Sequence, residues 1–291
     1  MKTIGFIGIG VMGRAMAGRL LDAGYALRVY ARTAEKADGL VASGAVRCGS
    51  TGECVRGSDA VITIVGFPGD VEEVYFGPGG VLESAAPGAL LIDMTTTDPA
   101  LSTRIYAAAK ARGLSALDAP VSGGDVGAQN GTLSIMAGGD EEAFLRAQPL
   151  FSCMGKAVTH TGPAGTGQHT KMANQIAICG SIAGVCEALT YARANGLDPE
   201  NMLACISGGA AGSWQMRNMA PRILRGDLAP GFFIRHQTKD LRLAKAGAAA
   251  AHVDLPVLNA VSDMYAALES EGRGTDGTQA LIKWYEENAT C

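Results

Sequence analysis

Histidine is scarce in this chain, with four residues in 291. None stands in a His-Glu-x-x-His pattern or beside carboxylates at metal spacing, so no bound metal is expected. Cysteine occurs at positions 48, 54, 153, 179, 186, 205 and 291, never as Cys-x-x-Cys or a regular ladder. An odd number without disulfide spacing points to reduced thiols and a cytoplasmic protein. An excess of positive charge is missing too. A net charge of -4 leaves no footprint for nucleic acid or an anionic membrane, so an anionic substrate needs a local cationic group. The longest weakly polar run, residues 176–186, is far short of the ~20 residues of a membrane span. The start Met1-Lys2-Thr3-Ile4-Gly5-Phe6 runs straight into a strand, and no signal peptide is expected ahead of the fold.

What the chain does have is apolar residues, 47%, and 40 glycines gathered at motifs and packing stretches. That composition fits a globular protein long enough for one large domain or two ordinary ones. Apolar, strand-like segments at residues 3–9, 27–31, 60–66, 89–94 and 114–119 alternate with helical ones at 11–23 and 100–112. The second helix is opened by Asp98-Pro99 and closed by Gly113. Residues 131–139 read as a further strand. The alternation predicts a parallel sheet covered on both faces. After Gly162 the pattern changes. From 168 to 194 small and aliphatic residues surround one helix of ~27 residues, about 40 Å long, expected to be central and buried. Asn195-Gly196 stops it. Further helices are expected after Asp198-Pro199 and over 214–224, 238–251, 256–269 and 278–286. The fold class is therefore α/β: a Rossmann-type doubly wound parallel sheet over residues 1–163, then an all-α domain over 164–291 on a long interdomain helix. No internal repeat is evident.

Gly8-Ile9-Gly10-Val11-Met12-Gly13 follows the first strand and opens the first helix. The first glycine permits a tight turn, the second lets a pyrophosphate approach the backbone, and the third allows close helix–strand packing. The second strand ends in Val29-Tyr30-Ala31-Arg32-Thr33, without the Asp or Glu that accepts hydrogen bonds from the adenosine ribose in NAD-specific folds. Arg32, assisted by the Thr33 hydroxyl, suits a 2′-phosphate; the alternative is a solvated arginine on a loop. The cofactor expected is NADP rather than NAD.

Residues 118–128, Asp-Ala-Pro-Val-Ser-Gly-Gly-Asp-Val-Gly-Ala, follow a strand end and read as too glycine-rich for a helix. The amides of Gly123 and Gly124 with the Ser122 hydroxyl can hold a carboxylate; a plain glycine turn is the alternative. Lys171 lies on an otherwise apolar helix, where an unpaired lysine is costly. Beside a carbonyl, its ammonium can polarise the bond and donate a proton. Asn174 and Gln175, at i+3 and i+4, share its helical face, and either amide can orient it or bind a substrate hydroxyl. Lys239 and Asp240 open a later helix behind Phe232, as a site or as a structural ion pair with an aromatic plug. Trp214 reads as a core residue, with a pocket wall as the other choice.

With these segments in place, the chain resembles the β-hydroxyacid dehydrogenase family, which includes 3-hydroxyisobutyrate dehydrogenases, tartronate semialdehyde reductases and glyoxylate/succinic semialdehyde reductases. The likeness covers essentially the whole chain. It rests on Gly5 to Gly13, Asp118 to Gly124, Gly165-Thr166-Gly167 through Lys171 to Asn174, and Lys239-Asp240-Leu241. The resemblance implies that Lys171 is catalytic, with Asn174 beside it, and that Ser122, Gly123 and Gly124 bind the substrate carboxylate. It further implies that Thr96 and Lys239 contact the dinucleotide, that Phe232 and Asp240 line the cleft, and that the helical domain builds a homodimer or homotetramer. Ala31 stands where the family often has Asn, and Gln175 where many members carry Asn. Ala173-Asn174 replaces the His-Asn pair of 6-phosphogluconate dehydrogenases, which argues against sugar-phosphate decarboxylation. Imine reductases of similar fold usually replace the lysine kept here. The function expected is an NADP-preferring oxidoreductase interconverting a short 3-hydroxyacid and its aldehyde-acid. The rivals are a non-catalytic dinucleotide-binding module and an imine or sugar-acid enzyme.

Overall fold

The computed structural model describes residues 1–288, and Cys291 lies outside the described residues. The chain divides into two compact units, Met1–Lys171 and a second beginning at Met172. The strands of the first are β1 (Thr3–Ile7), β2 (Ala26–Tyr30), β3 (Val46–Arg47), β4 (Ala60–Thr63), β5 (Leu90–Asp93), β6 (Ser115–Asp118), β7 (Val121–Ser122), β8 (Leu133–Gly139) and β9 (Gly155–Gly162). They form one sheet in the order β3-β2-β1-β4-β5-β6-β8-β7, with β9 also paired to β8. Pairs among β1 to β6 are parallel. β8 runs antiparallel to β6 and β7, so the sheet is parallel-dominated rather than wholly parallel. The strand order reverses between β1 and β4, which makes the carboxyl ends of these strands the crevice where such sheets take ligands.

Successive residues of each central strand enter opposite cores. Ile4, Phe6, Leu90 and Ile92 pack with Met16 and Leu20 of the helix Val11–Asp22. Ile7, Val61 and Leu91 pack with Val55, Tyr75 and Val81 on the other side. Both faces are buried, which is why these strands read as continuous apolar runs. Residues 118–128 require a correction, because a helix Gly124–Asn130 does form there. Gly123 (φ 132°) and Gly124 (φ 64°) turn the chain out of β7, and the remaining residues to Asn130 include only Gly127 to weaken the helix. The helix Glu141–Met154 and strand β9 had no counterpart in the sequence reading.

The long helix is Thr166–Ala194, with Gly196 at φ 68° just beyond its end. It is less buried than its composition suggests. Cys179, Ile182, Val185, Cys186 and Leu189 enter the core of the second unit with Leu241, Leu258, Val261, Tyr265 and Leu281. His169, Ala173, Ala177, Gly184, Glu187 and Tyr191 are exposed. The estimate of apolar length also changes. An 18-residue stretch of this helix has mean hydropathy 1.3, enough by length and composition to cross a membrane, and 44% of that stretch is buried within the protein. The isoleucines, valine and cysteines of 176–186 hold that average up across the more polar residues, such as Asn174, Gln175 and Glu187, on either side.

The other α-helices of the second unit are Pro199–Ile206, Trp214–Asn218, Ala220–Leu224, Ile234–Ala250, Pro256–Ser270 and Leu281–Asn288. Asp98 and Asp198 cap their helices by accepting from Ala100 and from Glu200 and Asn201. The single helix expected over 214–224 is broken. Pro221 has no N–H to give, and its ring would clash with the carbonyl four residues earlier in a continuous helix. The helix expected from 238 begins at Ile234, so Lys239 and Asp240 lie in its second turn rather than opening it.

Candidate active site

At the carboxyl end of β1 the chain turns at Gly8 (φ 101°), where an added Cβ would lie 2.1 Å from the Ile64 carbonyl oxygen. A Cβ on Gly13 would lie 1.9 Å from the Gly8 carbonyl oxygen, so the helix Val11–Asp22 packs directly on the turn. Gly10 is different. It sits at the cap of that helix, makes no side-chain cap hydrogen bond, and a Cβ there would meet nothing within 4 Å. Ile9 is buried and Val11 exposed, with Met12 packed against the core. An uncapped helix start with open space at its second glycine fits a dinucleotide pyrophosphate, whose oxygens would be held by the first amides.

Arg32 and Thr33 follow β2 and are exposed. The Arg32 guanidinium pairs at 2.9 Å with Asp70, whose other oxygen accepts from the Phe67 amide and caps the helix Pro68–Phe76. The carboxylate missing from the end of β2 is thus supplied near Arg32 by a residue 38 positions later. No local pattern signals that meeting.

Thr96 lies between two anchored neighbours beyond β5. The Thr95 hydroxyl accepts from the Val65 amide, and the Thr95 amide donates to Asp93 Oδ1. Gln168, in the first turn of the long helix, receives the Thr97 amide on Oε1 at 3.0 Å and donates through Nε2 to the Thr95 carbonyl at 2.8 Å. Asp118 accepts from the amides of Gly165 (2.7 Å) and Gln168 (2.9 Å). Asp93, Asp118 and Gln168 are all buried, and the sequence reading gave their side chains no role. Ser122 pairs in register with Ser134 of β8 and leads into Gly123 and Gly124. Lys171 is only 6% exposed, three residues beyond Gln168 on the same helix.

Asp93 carries a testable charge. Burial pushes its carboxyl up to about 6, against hydrogen bonds from Thr63 and Thr95 that lower it, and its Oδ2 has no hydrogen-bond partner. Because the folded pKa is raised, the native state binds the proton more tightly, and stability falls as pH rises from the unfolded value of ~3.9 through about 6. The full cost above that window is about 3 kcal/mol. Asp93→Asn keeps one oxygen for Thr63 and Thr95 and removes the charge. Its Tm should exceed that of the unaltered protein by a few degrees at pH 7.5, the gain vanishing towards pH 4. A Tm difference that stays flat over this range would refute the charge penalty.

In the second unit Asn174 donates to Gln175 Oε1 at 2.8 Å, and Gln175 Nε2 donates to Asp240 at 2.8 Å and to Gln237 at 3.2 Å. Asp240 also pairs with Lys239 at 3.0 Å, so the ion pair forms. Phe232 is 37% exposed, its ring centroid 6.0 Å from that of His236. Trp214 corrects an expectation. It is 56% exposed, because the five-residue helix it opens buries Gln215 and Met216 instead. Met172 packs into the helical core.

Residues 3–162 match the family described as the NAD-binding domain of 6-phosphogluconate dehydrogenase, and residues 165–285 the family described as NAD-binding of NADP-dependent 3-hydroxyisobutyrate dehydrogenase. An uncharacterized oxidoreductase of Bacillus subtilis, YkwC, is 50% identical over 97% of this chain and 98% of its own. An NAD-dependent L-serine dehydrogenase of Pseudomonas aeruginosa is 38% identical over 94% of each chain. Among solved structures, a Mycobacterium tuberculosis 3-hydroxyisobutyrate dehydrogenase with L-serine superposes with a TM-score of 0.89, at 32% identity over 97% of this chain and 98% of that one. The chain belongs to the β-hydroxyacid dehydrogenase family and is an NAD(P)-dependent hydroxyacid dehydrogenase of the 3-hydroxyisobutyrate dehydrogenase type.

Proposed function

We propose that the chain is an NADP-preferring enzyme that interconverts a short 3-hydroxyacid and its aldehyde-acid, with Lys171 as the acid/base group. The observation that carries this is the burial of Lys171 in the first turns of the long helix, on the face of the Gln168 amide that ties the helix to the loop bearing Thr96. The bound dinucleotide supplies or takes up the hydride. The Lys171 ammonium gives its proton to the carbonyl oxygen in reduction, and the neutral amine removes it from the hydroxyl in oxidation. Ser122, Gly123 and Gly124 hold the carboxylate, and Gly8 to Gly13, Thr96 and Lys239 hold the dinucleotide. Asn174 is the orienting amide, since both ends of the Gln175 amide are taken by Asn174, Gln237 and Asp240, whereas Asn174 commits only its Nδ2. Gln175, Asp240 and Phe232 then shape the substrate end.

Residues 1–163 form the dinucleotide domain in this reading, and 164–291 the substrate and oligomerisation domain of a cytoplasmic homodimer or homotetramer. The exposed small residues Ala173, Ala177 and Gly184 on one helix face support such assembly.

Turnover with both cofactors tests the reading directly. The panel is glyoxylate and the succinic, tartronate and methylmalonate semialdehydes in reduction, with 3-hydroxyisobutyrate and L-serine in oxidation. Tight NADPH binding with no turnover of any of them would defeat it. NAD use is the second reading, favoured by the Arg32–Asp70 pair, because Asp70 already neutralises the cation meant for a 2′-phosphate. Arg32→Ala should lower kcat/KM with NADPH by about tenfold, ~1.4 kcal/mol, and leave NADH within twofold. An equal loss with both cofactors would take the 2′-phosphate contact away from Arg32, and a higher kcat/KM with NADH in the unaltered enzyme would decide for NAD.

A further inference from the structure

Two buried polar side chains, Asp118 and Gln168, have no assigned part in binding or proton transfer, yet they connect segments that do. We propose that Asp118 and Gln168 are positioning residues that lock the first turn of the Lys171 helix to the Thr95-Thr96-Thr97 loop; this rests on Lys171 being the acid/base group.

The geometry is that of a brace. Asp118, at the end of β6, gives one carboxylate oxygen to the Gly165 amide and the other to the Gln168 amide, so it caps the helix Thr166–Ala194 from a strand some fifty residues away. These are donors that a helix start otherwise leaves unsatisfied, and a negative charge there is favoured by the helix dipole. Burial raises the Asp118 pKa, and the two amide bonds oppose that rise. Gln168 then uses both ends of its amide. Its oxygen takes the Thr97 N–H and its nitrogen donates to the Thr95 carbonyl, bracketing Thr96 as the edge of a neighbouring strand would. Its residue is fully buried, so a mispaired amide would be exchanged for no water contact.

The surrounding backbone is built to admit this arrangement. A Cβ on Gly167 would lie 2.4 Å from the Asp118 carbonyl oxygen and 2.5 Å from that of Met136. On Gly138 it would lie 2.7 Å from Asp118 Oδ1. The Gly-Thr-Gly pattern before the lysine thus serves the close seating of the helix start on β6 and β8. Gln168 and Lys171 are three residues apart and share a helical face. Whatever fixes the Gln168 amide fixes the direction in which the lysine leaves the helix, relative to the loop that carries Thr96.

Gln168→Leu and Gln168→Glu, with Lys171→Ala as reference, test this in the full-length protein. The readouts are kcat on the best substrate of the panel above, the NADPH Kd by fluorescence, Tm, and amide hydrogen exchange over residues 94–98. Gln168→Leu should fold, lose at least tenfold in kcat per folded site, bind NADPH more weakly, and exchange faster over 94–98. In Gln168→Glu only the protonated carboxyl can donate to the Thr95 carbonyl while accepting from Thr97. Its kcat relative to the unaltered enzyme should therefore recover at least fivefold from pH 8 to pH 5.5. A role in stability alone would lower Tm and leave kcat per folded site and the pH dependence of that ratio unmoved. A smaller kcat loss in a folded Gln168→Leu, or a Gln168→Glu ratio equal at both pH values, overturns the brace. Should the leucine variant not fold, the glutamate ratio decides. Failure of the acid/base reading looks different, because Lys171→Ala would then keep its turnover.

Discussion

Lys171→Ala will lower kcat by about 10²–10⁴ while NADPH still binds, because a positioned general acid contributes on that order. Lys171 is 6% exposed and stands one turn into a helix whose start is held by buried hydrogen bonds, so its side chain has little freedom to be replaced by solvent. Water that enters the space left by the truncated side chain is a far weaker acid than an ammonium. Lys171→Arg separates charge from proton transfer. The guanidinium keeps the positive charge but does not deprotonate near neutral pH, so oxidation of the hydroxyacid should stay as low as in the alanine variant. Steady-state kinetics with an independent NADPH titration checks both variants. Turnover of Lys171→Ala within threefold of the unaltered enzyme would remove the lysine from the chemistry.

The second large effect separates two glycines three residues apart. A Cβ on Gly13 would sit 1.9 Å from the Gly8 carbonyl oxygen, and no side chain can move to make room for it. Gly13→Ala should therefore lose several degrees in Tm or fail to accumulate as folded protein. Gly10→Ala meets nothing within 4 Å and has an ordinary φ of -82°, so its Tm should stay within about 2 °C, in line with surface substitutions. Its NADPH Kd should nonetheless rise at least tenfold, since the methyl group occupies the approach of the pyrophosphate to the helix start. Thermal melts paired with NADPH titration distinguish them. An unchanged Kd in folded Gly10→Ala would place the pyrophosphate elsewhere.

The sequence made the central strands legible because each is buried on both faces, so Leu90 to Ile92 could read only as apolar. The helix caps at Asp98 and Asp198 were equally plain, since the rule behind them is local. Legibility stopped wherever the determining contact was distant in the chain. Asp70 meets Arg32, Gln168 meets Thr95 and Thr97, and Asp118 meets Gly165; no spacing within a motif encodes any of them. The helix Gly124–Asn130 was hidden for a different reason. Glycine lowers the helix propensity of the segment as a whole, whereas Gly123 and Gly124 act at its entrance, where positive φ is needed. Trp214 shows that hydrophobic identity alone places a residue poorly, because a five-residue helix has only one face to bury.

Burial decides how the thiols of this protein meet oxidants. Cys54, Cys179 and Cys186 are buried, and burial pushes each of their pKa values up, that of Cys179 to about 11. Thiolate is the form that reacts, so at neutral pH these sulfurs are both shielded and in the wrong protonation state. Cys205 is exposed on the helix Pro199–Ile206, and among the described cysteines it alone is. Among the described residues electrophiles therefore find few open thiols, and in a Cys291→Ser variant a maleimide dye added to the native fold would label the helix of Cys205 well before it reached the interior.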